Sequence, residues 1–202
     1  LMKTSAVLEL LDRLNATVFI PHPQGRPWKY FFRRRHAWES WDSSLYHGVE
    51  IWSYMHDWIE NLSPTSIPER CRNPRNFITG PRPEVLREWD RLAMTRRVAG
   101  LGALDTHGRQ LPFRLATFFP WAKDGILPYH QNFLAFATYL LAPPLSGNPR
   151  LDANNLVNAM REGACWISHD DLHPGREVRY YGEVGGQRLQ QGDICSLATS
   201  CT

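Results

Sequence analysis

Three short, nearly all-apolar runs constrain this chain most: Ala16 to Ile20 (ATVFI), Gly48 to Trp52 (GVEIW) and Val98 to Leu104 (VAGLGAL). A strand with one wet face alternates apolar and polar residues. Runs without that alternation belong to strands covered on both faces, as in a parallel sheet clothed by helices. Helical patterns lie between them. Residues 5 to 14 place Val7, Leu10, Leu11 and Leu14 at helical spacing, and Pro83 opens a helix through Thr95 with Val85, Leu86, Trp89 and Leu92 on one side. This alternation predicts an α/β fold built on a parallel sheet or barrel.

Further along, residues 63 to 83 are rich in Pro, Asn and Arg and read as a long surface loop. Asn132 to Ala142 reads as a strand, Asp152 to Glu162 as a helix with Gly163 just past its end, and Ala164 to Ser168 as another strand. From Pro174 the pattern turns half-polar, and Gly185-Gly186 is a hairpin signal. The expected division is therefore a main unit over 1–173 and the start of a β-rich extension over 174–202.

The composition excludes several classes. With 202 residues, 43% hydrophobic and 21% charged, the chain can bury a full core and is not a disordered sequence. A net charge of +3 gives no mandate for nucleic acid or for a membrane surface. No apolar run reaches the length of a membrane span, and Leu1-Met2-Lys3 opens no signal peptide. The default compartment is cytoplasmic, although an export signal could lie in a preceding segment, because the chain reads as a fragment of a longer one. None of the four cysteines is spaced as CxxC, which argues against a zinc knuckle. The Gly-x-Ser-x-Gly, P-loop and GxGxxG patterns are absent from the sequence.

Reactive groups in such folds collect just past the carboxyl ends of the strands. His22 follows ATVFI after one proline, and Asp105 and His107 follow VAGLGAL. Residues two apart in an extended segment project to one side, so Asp105 and His107 can serve one metal or two adjacent ones. Carboxylate plus imidazole suits zinc, manganese or iron. Each motif alone is weak, because an Asp-x-His is as often a loop cap. Glu50, inside the second strand, could face the site behind the ligands or simply pair with an arginine.

The ordered series of motifs resembles the PHP family of metal-dependent hydrolases. TVFIPHP is similar to the family's I-x-x-H-P segment, and GVEIW to the strand that follows it. Trp89-Asp90-Arg91-Leu92, Arg96-Arg97-Val98-Ala99-Gly100-Leu101-Gly102 and Asp105-Thr106-His107-Gly108 resemble its W-D-x-L…G-R-R-V-x-G-x-G-x-S-D-x-H-G series. Arg161 to Ser168 is similar to its L-R-x-G-x-x-[YF]-[VI]-S segment, and the tail to the β extension of the CehA/McbA-like branch. The resemblance spans roughly residues 5 to 195. It implies the C-terminal part of a distorted (βα)7 barrel with a short antiparallel extension and a multinuclear metal site. It implies hydrolysis of a phosphoester, or of a carbamate, ester or amide bond, by a metal-activated water. His22, Asp105 and His107 match metal ligands, and Asp105 and His107 would carry the catalysis. The family's H-x-H does not occur here, and Ala103-Leu104 stands where Gly-Ser is usual before the aspartate. With three recognisable ligands the chain is expected to be a weak catalyst or none. The rival reading is a degenerate barrel that binds a ligand or partner.

The substrate expected is a small anionic molecule, with no nucleic acid or membrane partner, and the oligomeric state is left open. Arg26, Arg34 or Arg109 could hold its anionic group, Arg109 being nearest the ligands. The run Arg33-Arg34-Arg35 is either a solvated face or a rim that attracts that anion. His36, His47 and His56 are expected to be surface or capping residues, His130 and His173 loop residues, and His169 structural.

Overall fold

The computed structural model describes residues 3–23, 25, 37–108, 125 and 127–195. Helix α1 (Thr4–Arg13) leads through Asn15 into β1 (Phe19–Ile20), followed by β2 (Gly48–Ser53), the short α2 (Tyr54–Trp58), α3 (Ile67–Arg72), α4 (Pro83–Ala93) and β3 (Ala99–Ala103). Strands β1, β2 and β3 pair in that order and all in parallel. The three apolar runs thus become neighbouring strands of one sheet. Of the first run Phe19 and Ile20 pair, and the strand stops at Pro21, which has no N–H to donate.

Val85 and Leu92 of α4 are buried, and they pack with Ile20, Tyr46, Val49 and Val98. Trp89 lies against this core and donates its Nε1–H to the Val98 carbonyl (2.8 Å), pinning the helix to the strand it precedes. Gly100 permits that contact, since a Cβ there would come 3.0 Å from the indole. Gly48 is forced more strongly. A Cβ would stand 2.6 Å from the Ala99 carbonyl oxygen of the paired strand.

Two expectations fail in the next stretch. Residues 63–83 contain α3 and a 3-10 turn, Pro74–Phe77, rather than a bare loop. Arg70 explains why: its side chain is buried, donates to the carbonyls of Trp58 and Glu60, and stacks on Phe77. That anchor is tertiary, and a polar composition does not reveal it. Likewise, the strand expected over Asn132–Ala142 begins as a helix, α5 (Tyr129–Ala135), and only then becomes β4 (Phe136–Leu140). Pro128 starts this helix as its N-cap, and Asn132 is buried within it, donating to the Leu127 carbonyl and the Thr106 hydroxyl.

The topology departs from a parallel barrel at the same place. After β4 comes α6 (Pro149–Arg161) and then β5 (Cys165–His169), which pairs with β4 antiparallel. The antiparallel register sets Leu140 opposite Cys165, so the connection through α6 returns the chain to the end of β4 that it left. Asn148 caps α6 by accepting from the Arg150 and Leu151 N–H groups. Gly163, at φ +68, closes it with Gly163 N–H to Met160 O and Ala164 N–H to Ala159 O, a Schellman motif. The β4–β5 pair abuts the free side of β3: Thr138 Oγ1 bonds to both the N–H and the carbonyl of Gly102. The molecule is mixed α/β with small sheets. Among the described residues no barrel closes.

The tail forms a hairpin, β6 (Tyr181–Val184) and β7 (Gln187–Gln190), turned by Gly185 and Gly186 at φ +58 and +79. Two consecutive positive φ values make the primed turn that matches strand twist, and glycine adopts them without strain. Every residue of β6 is exposed. No helix among the described residues is long and apolar enough to cross a membrane.

Candidate metal centre

Three side chains meet beyond the carboxyl ends of the three parallel strands: His22 after β1, His56 after β2 and Asp105 after β3. One potential ligand atom from each lies within 4.8 Å of the others, so the group could hold a metal ion. His56 Nε2 is 3.2 Å from Asp105 Oδ2. Two ligands of one zinc ion at about 2.1 Å in tetrahedral geometry stand about 3.4 Å apart. The His22 and His56 rings stack nearly parallel, with centroids 4.5 Å apart.

The local backbone explains the convergence. The Met55 N–H donates to the Leu104 carbonyl (3.1 Å), tying the start of α2 to the end of β3 and setting His56 opposite Asp105. His22 and Asp105 have φ +27 and +45, and they are two of five described non-glycine residues with positive φ. Such conformations cost about 1–3 kcal/mol each and persist where surrounding contacts enforce them. At His22 that contact is Glu50, whose Oε2 accepts the His22 N–H at 2.6 Å. At the Asp105 segment, Thr106 Oγ1 bonds the Leu127 carbonyl and takes the Asn132 amide. Strand β2 also slips register between Glu50 and Trp52, an irregularity of the kind that redirects side chains near sites.

Burial works to raise the Asp105 pKa. The hydrogen bond from His56 and the nearby His56, His22 and His107 outweigh it and hold the carboxyl below its usual range. The site therefore offers an ionised carboxylate beside two imidazoles.

A small open pocket lies against this group and is lined by His22, Glu50, Ser53, His56 and Arg82 among others. Seven buried side-chain atoms among the described residues have no hydrogen-bond partner, and four of them belong to residues lining this pocket: His22 Nδ1, Glu50 Oε1, Ser53 Oγ and Arg82 Nη1. Unpartnered buried polar atoms are rare and call for a ligand, an ion or water. A buried imidazole nitrogen without a partner fits a metal ligand. The donor set of two nitrogens and one hard oxygen suits zinc, manganese or iron.

Of the ligands expected from sequence, the structure brings His22 and Asp105 together. His107 is exposed, its Nδ1 is 2.8 Å from the Asp105 carbonyl oxygen, and it is not one of the three grouped side chains. His56, expected to be a surface or capping residue, takes the third place. The signal was present: His56 lies three residues past the end of β2, in the same strand-end zone as the others. Ending that strand at Trp52 and treating His56 as a cap obscured it. His47 is a cap, accepting the Val18 N–H on Nδ1. His169 is buried among Trp52, Tyr54 and Phe136. Glu50, left open by the sequence between a place behind the ligands and a pairing with an arginine, accepts the His22 N–H on Oε2. Arg26, Arg34, Arg109 and His36 lie outside the described residues. In comparisons with known proteins, no protein-family model, no curated protein and no solved structure matched the chain.

Proposed function

We propose that this chain is the C-terminal part of a metal-dependent hydrolase of the PHP type, cleaving a phosphoester or a carbamate or ester bond. One observation carries the reading: His22, His56 and Asp105 converge beyond the ends of three adjacent parallel strands, with ligand atoms within 4.8 Å. A divalent metal held by these residues would act as a Lewis acid and make water a nucleophile near neutral pH. The chain's own residues supply the rest. Asp105, its pKa depressed, contributes a negative charge that persists into mildly acidic solution. Glu50 Oε2 fixes the strained backbone of His22 and so aims its ring. The small open pocket beside the imidazoles exposes two donors without a partner, the Ser53 hydroxyl and Arg82 Nη1, to a group that enters it.

The test is turnover of a generic phosphodiester and an aryl carbamate with added manganese or zinc. Slow, metal-dependent hydrolysis that disappears in His56→Ala and Asp105→Ala is expected. Equal turnover in those variants and the parent would remove the hydrolase reading. A second reading, a non-catalytic ligand-binding module, draws on the fact that the grouped ligands among the described residues number three. Stoichiometric metal binding with no turnover on either substrate would favour it.

A further inference from the structure

We propose that Arg82 is the oxyanion-binding group of this pocket, taking a phosphoryl or carboxylate group of the substrate on Nη1. The inference deepens the hydrolase reading and rests on it for the identity of the substrate. Its structural basis is separate. Arg82 is the residue before α4, with Pro81 and Pro83 on either side and an extended backbone at φ −69, ψ 134. Two prolines leave that backbone little freedom. The preceding turn is anchored as well, since Asp57 Oδ2 accepts the N–H groups of Thr79 and Gly80 at 2.9 Å each.

The guanidinium is held at one end only. Its Nη2 is 3.2 Å from Glu60 Oε2, whereas Nη1 is buried with no partner, and the residue lines the pocket together with His22 and His56. A charged donor buried without an acceptor is costly, so an acceptor must come from whatever enters the pocket. The planar fork of a guanidinium matches phosphoryl and carboxylate oxygens in geometry and in charge. Two features add to it. Ser53 Oγ is a second buried, unpartnered group lining the same pocket. Arg82 also stands at the N-cap position of α4, whose positive end favours an anion. Glu50 Oε1, a carboxylate oxygen, can only accept, so it serves a donor or a cation rather than the oxyanion. The pocket thus offers groups for a metal and groups for an oxyanion. Arg26, Arg34 and Arg109, the anion contacts expected from sequence, lie outside the described residues; Arg82 is a further, partly buried arginine that lines the pocket itself.

The experiment is calorimetric titration of the full chain with inorganic phosphate and, separately, with acetate, in the presence of a chelator. Without added metal, the result stands whether or not the metal centre does. Phosphate should bind the parent, and Arg82→Gln should weaken it by about 10–100-fold, the range of one charge-assisted hydrogen bond. Arg82→Lys, which keeps the charge but loses the fork, should fall between. Glu60→Gln, which removes the ion-pair partner and keeps the guanidinium, should retain binding and so separates anion recognition from a fold defect. Tighter phosphate than acetate identifies a phosphoryl group, and the reverse a carboxylate. Equal affinity in Arg82→Gln and the parent, an equal loss in Glu60→Gln, or no binding of either anion by the folded parent would overturn the assignment.

Discussion

Asp57 is buried, and its carboxylate accepts four hydrogen bonds: Trp52 Nε1 (3.1 Å), Thr79 N (2.9 Å), Gly80 N (2.9 Å) and Thr79 Oγ1 (2.8 Å). Three of these go to Oδ2 and the last to Oδ1. Asp57→Ala removes all four acceptors. The Thr79 and Gly80 donors lie near the surface and can recover water, so each lost bond is charged at about 1 kcal/mol rather than the full cost of a buried orphan. The sum is about 3–4 kcal/mol, within the range for breaking a buried network from one side. For a chain of this size that lowers Tm by roughly 6–16 °C. Asp57→Asn keeps one oxygen, which can retain the three bonds now made to Oδ2, and should cost about 1 kcal/mol. Urea denaturation of the parent and both variants measures the ladder. Asp57→Ala within about 1 kcal/mol of the parent, or Asn as damaging as Ala, would refute the reasoning. Because the same carboxylate anchors the turn before Arg82, Asp57→Ala should also weaken phosphate binding.

Gly48→Ala should destabilise by about 1–3 kcal/mol, because the new methyl meets the Ala99 backbone carbonyl, whereas Gly182→Ala, with nothing within 4 Å, should be near neutral; paired denaturation curves decide. At Asp170 burial works to raise the pKa, but hydrogen bonds from Ser168, Tyr139 and the Gly175 N–H hold it below the usual range. Its contribution to stability is therefore present above the ordinary carboxylate value near 3.9 and is lost as pH falls through the depressed one. The stability gap between the parent and Asp170→Asn should be constant at neutral pH and should close only below about pH 4, which urea titrations at pH 7, 5 and 3 would read.

The parallel core was legible because its signal is local. Nearly all-apolar runs at ATVFI, GVEIW and VAGLGAL, each ended by a proline or a polar cluster, suit strands covered on both faces, and they pair in chain order. The antiparallel β4–β5 pair was not legible. The connection from Leu140 to Cys165 can return the chain in either direction, and no single residue of it reports which. Helix α5 was hidden by its apolar residues: Phe133 and Leu134 suggest a strand, yet both are exposed on a helix. At the site, His22 and Asp105 followed from the strand-end rule. His56 was missed because its role depends on the Met55–Leu104 hydrogen bond, which exists only once β2 and β3 are paired.

The central claim is that His22, His56 and Asp105 form one metal centre, and zinc titration calorimetry on the parent and four single alanine variants tests it most directly. The account predicts stoichiometric binding by the parent, a loss of affinity of at least about tenfold in each of His22→Ala, His56→Ala and Asp105→Ala, and a smaller effect in His107→Ala. Zinc affinity unchanged in His56→Ala, with a full loss in His107→Ala, would contradict it and return the third ligand to His107.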